Sequence, residues 1–311
     1  MAVPSLIFEV NFMIAFLKNK WFLLCIMALT WGSSFILIKK SLLVFSPFEI
    51  GAFRVGLSGL LLAYIGLPAI RKMKTKTILW VAAAGFFGNF LPMFLFPIAQ
   101  TKVGSSLAGI INSLEPIFVL FLGFLLFGVR SRLMQVIGAV IGFVGAATLL
   151  YFSEVNSEGN QLWYSLLMVL ASASYAVSAL IIKDKLQHVR SLHISSSVFS
   201  IWMIPSFLIL IFTGFFKDFQ FDNETIHALG YLSILSIVGT AAAIVLFYKL
   251  IQDTSAVFAS TVSYLLPVVA VMWGILDGEE FTIWYVLGGL LILVGIYLIR
   301  EKKKKPQVTP R

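Results

Sequence analysis

The chain has 311 residues, of which 59% are hydrophobic and only 12% charged, with a mean hydropathy of +0.97. A soluble domain carries roughly a quarter charged residues, so this composition excludes a water-soluble globular fold and identifies a polytopic membrane protein. The net charge of +9 does not point to nucleic acid, because the basic residues lie between apolar runs, where membrane topology requires them.

The N-terminal segment, residues 1–19, contains Glu9 and Asn11 and is too short to form a span of its own before the first apolar stretch; it also lacks the basic start and cleavage site of a secretory signal. An interfacial segment fits it, as does a natural start at Met13, which places Lys18 and Lys20 just before the first span. Ten apolar stretches come next, near 21–38, 47–70, 78–98, 103–127, 133–152, 162–182, 192–216, 226–249, 255–276 and 282–299. Each approaches the roughly 20 residues that a bilayer core requires, and their continuity excludes the alternating pattern of an outer-membrane barrel. The predicted fold is therefore an all-α integral membrane protein with ten transmembrane helices. The single cysteine, Cys25, excludes an intramolecular disulfide and a cysteine metal cluster.

Charge sets the orientation. With the N-terminus inside, the inner loops hold 12 Lys and Arg against four outside (Lys39, Lys40, Lys102 and Lys217), even without the tail at 300–311. Both termini are therefore predicted to be cytoplasmic, in a multi-pass protein of the cell (inner) membrane. The loop 153–161 has two acids and no base, which agrees with an outer position.

The fourth stretch holds one carboxylate, Glu115, followed directly by Pro116 and preceded one turn earlier by Asn112. An acidic residue at a helix centre costs roughly 2.5–3.5 kcal/mol, so such residues face a cavity or a partner. Proline removes a backbone donor and opens the helix. A carboxylate at a broken helix near the midplane is how carriers build a binding site; the plainer reading is a polar tie between helices. Arg54, seven residues into the second stretch, lies about 10 Å deep, and Glu115 roughly 18 Å deep, at 1.5 Å per residue. A direct ion pair between them requires staggered helices. Arg54 is read as an anchor for an anionic group or as a tie to carbonyls or Glu49, and Glu49, at a helix start, as a capping charge.

The chain also repeats itself with a period near 150 residues. Residues 95–116, LFPIAQTKVGSSLAGIINSLEP, align with 247–267, FYKLIQDTSAVFASTVSYLLP, after a one-residue gap, so that Gln100 matches Gln252 and Pro116 matches Pro267. Five spans per copy is an odd number, which gives the halves opposite orientation, the inverted-repeat pattern of secondary carriers.

These two copies, with WGSSFILIKKSL at 31–42, SPFEIGAFRVGLSGLLL at 46–62 and the DGEE turn at 277–280, resemble the drug/metabolite transporter superfamily, of the kind with two EamA-type repeats. The resemblance covers residues 21–300 and implies two five-helix repeats, at 20–152 and 161–300, a central cavity between them, and a basic cytoplasmic tail at 301–311. It implies no cofactor, and partners limited to a small-molecule substrate and membrane lipids. Arg54 matches the family's arginine in an FxR motif. One departure is that a Gly–Glu pair of the family stands at Gly278–Glu279, whereas the first copy reads Gly128–Val129.

Further substrate-binding candidates are polar and aromatic residues at mid-depth: Trp31, Asn89, Tyr175, Trp202 and Tyr264, with Ser174, Thr261 and Trp273 beside them. Pro116 and Pro267 are candidate hinges. Gly138 and Gly142 form a GxxxG face, which permits close helix approach but does not by itself decide between monomer and homodimer. The three histidines show no metal spacing, and there is no phosphate-binding loop or GxSxG, so enzymatic chemistry finds little support. The predicted function is secondary transport of small organic solutes; the alternative is a membrane enzyme or lipid-handling protein in which Glu115 and Arg54 act on a head group. Proton exchange at Glu115 is the favoured coupling, although burial and a neighbouring cation act on a carboxyl's proton affinity in opposite senses.

Orientation is directly testable. Cysteines substituted at Ser157 and Asn223 are expected to react with an impermeant thiol reagent added to intact cells, and one at Thr75 is not. Labelling at Thr75 would reverse the orientation.

Overall fold

The computed structural model describes residues 19–103, 105–151, 162–217, 219, 221–276 and 283–299, and among these all regular structure is helical. The N-terminal segment 1–18, the acidic loop 153–161, the turn bearing Gly278 and Glu279, and the basic tail lie outside the described residues.

The first span is two helices, α1 (Lys20–Gly32) and α2 (Ser34–Ser41), meeting at Ser33; the side chain of Asn19 caps α1 by accepting from Trp21 N–H. Helix α3 (Pro47–Arg71) opens with a capping box: Ser46 N–H donates to Glu49 Oε2 at 2.7 Å, and Glu49 N–H donates to Ser46 Oγ at 3.3 Å. Glu49 is thus a capping residue. The third span comprises α4 (Thr75–Gly85) and α5 (Leu91–Gln100), joined by a π turn at Phe86–Phe90. Then come α6 (Ser105–Asn112), α7 (Glu115–Phe127) and α8 (Leu133–Tyr151). The second part of the chain has α9 (Leu162–Lys185), α10 (Ser191–Phe212) and α11 (Asn223–Ser236), with a second π turn at Ile237–Ala242 leading into α12 (Ala243–Asp253). It ends with α13 (Ala256–Ser260), α14 (Val262–Leu276) and α15 (Ile283–Ile299).

Among the described residues, six stretches are long and apolar enough to cross a membrane: Lys20–Ser41, Pro47–Arg71, Thr75–Gln100, Leu162–Lys185, Ser191–Phe212 and Asn223–Asp253. Four shorter apolar helices, Glu115–Phe127, Leu133–Thr148, Ala256–Val269 and Val286–Ile299, stand where the remaining spans are predicted. The kink expected at Pro116 takes another form. The helix stops at Asn112 and restarts at Glu115, so Pro116 falls in the first turn of α7, where its missing N–H forfeits no helical bond. Pro267 lies inside α14, and the interruption there comes earlier, at Thr261 between α13 and α14.

Lipid tails are as apolar as leucine, so helices in a bilayer associate through close packing rather than a hydrophobic drive. The two most extensive helix pairs are α3 with α10 and α8 with α15, and glycine makes both. A methyl group added at Gly59 would lie 2.7 Å from Phe199 O, and one at Gly138 would lie 2.7 Å from Gly295 O. At Gly142 it would meet the Tyr264 ring at 2.6 Å. The GxxxG face is therefore filled from within the chain, by α15 and Tyr264.

Gly138→Leu forces a side chain into the backbone of α15 and is expected to lower stability by roughly 1–3 kcal/mol or more. Gly289→Ala on α15 meets nothing within 4 Å and is expected to be neutral. Thermal unfolding in detergent distinguishes the two.

Candidate functional site

The two π turns organise the centre of the molecule. Each shifts helical bonding to i→i+5 and leaves nearby backbone groups to be met by side chains, a feature frequent at functional sites. At the second turn, Trp31 Nε1 donates to Gly239 O at 2.9 Å, and Ser58 Oγ donates to Ser236 O at 2.9 Å. Thr240 donates its hydroxyl proton to Leu235 O at 2.9 Å, which leaves its lone pairs to Arg54, whose Nε and Nη2 donate at 3.3 and 3.2 Å. At the first turn, Asn89 Nδ2 donates to Tyr248 Oη at 2.6 Å. Ser178 Oγ donates to Ala84 O at 2.8 Å and Trp202 Nε1 to Ala82 O at 3.0 Å.

Between these turns lies a cavity of about 70 Å³, room for several water molecules. Trp31, Phe35, Phe96, Tyr175, Phe247 and Tyr248 line it, together with Arg54, Asn112 and Glu115. The rings pack on one another: Trp31 lies edge-on to Phe247 at 4.8 Å, and Phe96 stacks on Tyr175 at 5.9 Å. Both charged residues are buried, Arg54 5% and Glu115 4% exposed. They make no ion pair with each other. Among the described residues, opposite charges meet only at Lys185–Asp184 and Lys249–Asp253, both on the surface.

Glu115 begins α7, and its Oε2 accepts from Ser263 Oγ at 3.0 Å. Among the described residues its Oε1 has no hydrogen-bond partner, nor has Asn112 Oδ1, three residues earlier and lining the same cavity. Buried acceptors left open in this way cost free energy unless something occupies them. Chemically, the cavity offers a fixed cation, a carboxylate and an open amide oxygen within aromatic walls. Groups of these kinds are complementary to a polar or charged head with an apolar body.

Five of the eight predicted binding residues, Trp31, Arg54, Asn112, Glu115 and Tyr175, line this cavity. Asn89 stands behind the wall, on Tyr248, with its Oδ1 unpartnered. Trp202 and Tyr264 fall outside the lining. The indole of Trp202 lies tilted against Phe90 with ring centroids 4.5 Å apart, and the Tyr264 hydroxyl donates to Ala139 O at 2.6 Å. Ser174 and Thr261 bond carbonyls of their own segments, and the side chain of Trp273 lies outside the described residues. Thr240, Tyr248 and Ser263 are not among the sequence candidates. Only the small-residue run around Thr240 and the repeated segment holding Tyr248 and Ser263 hint at them.

Thr240→Val removes the hydrogen-bond acceptor of a buried guanidinium and is expected to lower stability by roughly 1.5–3 kcal/mol, whereas Thr240→Ser is expected to stay close to the native value. Equal melting temperatures for the two variants would mean that Arg54 is held by other groups.

Comparison with known proteins agrees with this architecture. The model of the EamA-like transporter family matches residues 19–151 and again 162–300. An uncharacterized transporter of Archaeoglobus fulgidus is 26% identical over 92% of this chain and 100% of its own length. The uncharacterized inner membrane transporter YedA of Escherichia coli is 26% identical over 90% of this chain and 91% of its own. A solved structure, titled only as a crystal structure of a protein, superposes with a TM-score of 0.66 at 18% identity, covering 89% of this chain and 94% of its own. With two matches that together span most of its length, the chain belongs to the EamA-like transporter family, as a multi-pass membrane transporter of the drug/metabolite transporter superfamily rather than an enzyme.

Proposed function

We propose that the protein is a secondary carrier that exports small organic metabolites, such as amino acids or amphipathic drug-like solutes, by alternating access linked to protons. The observation that carries this reading is the pair of buried charges, Arg54 and Glu115, lining one cavity without neutralising each other. Desolvating two unpaired charges is expensive, and a solute-binding site accounts for their presence there.

In this reading ten helices cross the membrane as two inverted repeats with cytoplasmic termini. The double family match supports it, as do several pairings between the two matched stretches. The second helix of each stretch packs on the other (α3 on α10), and so does the fifth (α8 on α15). The third span of each carries a π turn, and the fourth of each is broken. The matched glutamines take corresponding places as well. Gln100 Nε2, at the end of α5, donates to Phe35 O at 3.4 Å. At the end of α12, Gln252 Nε2 donates to Leu186 O at 3.0 Å and Val189 O at 2.8 Å, while Lys183 donates back to Gln252 O and Thr254 O. The latch at Gln252 is on the predicted cytoplasmic side, and the cavity reaches Ile38 and Arg54 towards the other side. Pro116 and Pro267 act as hinges next to the breaks.

Proton linkage is supported by Ser263, whose oxygen lies 3.0 Å from Glu115 Oε2 and also within hydrogen-bond reach of Ser260 O. The hydroxyl has one proton. With Glu115 ionised, Ser263 donates to it. With Glu115 protonated, the acid donates to Ser263, whose own proton turns to the Ser260 carbonyl. Both states are hydrogen-bonded without moving the helices.

Glu115→Gln keeps the shape and removes the titration. In proteoliposomes, with a solute chosen by thermal-shift screening, the variant is expected to remain folded and lose the dependence of flux on a pH gradient. A variant that responds fully to the gradient assigns Glu115 to structure or solute binding alone.

A further inference from the structure

The crevice between α7 and α8 plays no part in the transport site, and its shape results from how those helices are held. Helix α8 is drawn to α15 by Gly138 and Gly145, whose added methyl groups would lie 2.7 Å from Gly295 O and 2.8 Å from Gly288 O. Helix α7 is drawn to α9, where Gly123 faces Leu180. The hairpin is thereby parted along its outer face, and an apolar crevice of about 370 Å³ runs between Phe121 and Phe124 on one wall and Val136 and Val140 on the other. At its loop end the lining changes to Ser131.

That loop, residues 128–132, reads GVRSR, with two arginines and no acid. Arg130 and Arg132 flank Ser131, both are exposed, and neither meets a carboxylate among the described residues. A guanidinium matches a phosphate with two parallel hydrogen bonds, and basic pockets between membrane helices hold anionic head groups. An apolar slot opening at a pair of unpaired guanidiniums has the chemistry of a phospholipid turned outside in. We propose that this crevice binds one anionic phospholipid, with an acyl chain along Phe121, Phe124 and Val140 and the phosphate on Arg130 and Arg132. Ile117, two residues after Glu115, lies at the deep end of the same crevice, so the bound chain also supports the half-helix that carries the carboxylate.

The full chain in detergent, mixed with phosphatidylglycerol or phosphatidylcholine of identical acyl chains, tests this by native mass spectrometry. One phosphatidylglycerol is expected to be retained at activation energies that strip phosphatidylcholine. Arg130→Gln with Arg132→Gln is expected to weaken that retention roughly 30-fold. Val140→Trp, which fills the slot and leaves both arginines, is expected to abolish it. Lys74→Gln with Lys76→Gln, on another basic loop, should leave it intact, and inorganic phosphate should not displace the lipid. Equal retention of the two lipids overturns the proposal, and so does phosphatidylglycerol retention that survives either the arginine or the tryptophan change.

Discussion

No water reaches a bilayer core, so every backbone group released by an interrupted helix must find a partner inside the protein. Among the described residues, spans are interrupted at two π turns and at breaks that include those in the fourth and ninth stretches, and at these four places partners come from far along the sequence. Trp31 and Ser58 meet Gly239 O and Ser236 O at one π turn, while Ser178 and Trp202 meet Ala84 O and Ala82 O at the other. At the breaks, Ser172 meets Ile111 O and Ser113 meets Ser263 O. In all six cases the donor lies in one of the two stretches matched by the family model and the acceptor in the other. Each such bond contributes on the order of 1 kcal/mol in a membrane. Together they fix how the two stretches sit against each other, and hence the cavity between them.

Much of this is legible in the residues. Composition and continuous apolar runs identify an all-helical membrane protein, and the Glu115–Pro116 pair marks the interruption of the fourth stretch. The π turns are not legible, because one extra residue in a helical turn leaves no trace in an apolar run and neither turn begins at a proline. Without the turns, the register of the third and eighth stretches cannot be followed to their ends. That is why Thr240, 186 positions from Arg54, is not recognisable as its partner. Depth along a helix can be counted at 1.5 Å per residue, but rotation about its axis cannot. Trp202 and Tyr264 qualify as candidates by depth alone; Trp202 packs behind the first π turn and Tyr264 against α8.

The separation of Arg54 from Glu115 is as informative as their burial. A salt bridge would satisfy both groups and leave a solute little to gain, since a ligand would first have to break it. Here each charge is instead held by a neutral hydroxyl, Thr240 for Arg54 and Ser263 for Glu115. A hydroxyl orients a charge without cancelling it, so the field of each group remains directed into the cavity. The aromatic lining lowers the local dielectric and strengthens that field, which is also why the open acceptors Glu115 Oε1 and Asn112 Oδ1 are costly when empty.

Those hydroxyls tie each charge to the opposite stretch. Arg54 and Glu115 both lie in the first matched stretch, whereas Thr240 and Ser263 both lie in the second. A shift of one stretch against the other therefore changes the partners of both charges together. A ligand moves a conformational equilibrium only as far as its affinity differs between the states, and charges whose anchors sit on the opposite stretch provide that difference. On the carrier reading proposed above, a solute that takes over the role of Thr240 or Ser263 releases a tie between the stretches, while an empty site keeps the ties in place. The proposed alternating access thus rests on the same hydrogen bonds that orient the two charges, because each bond joins one stretch to the other.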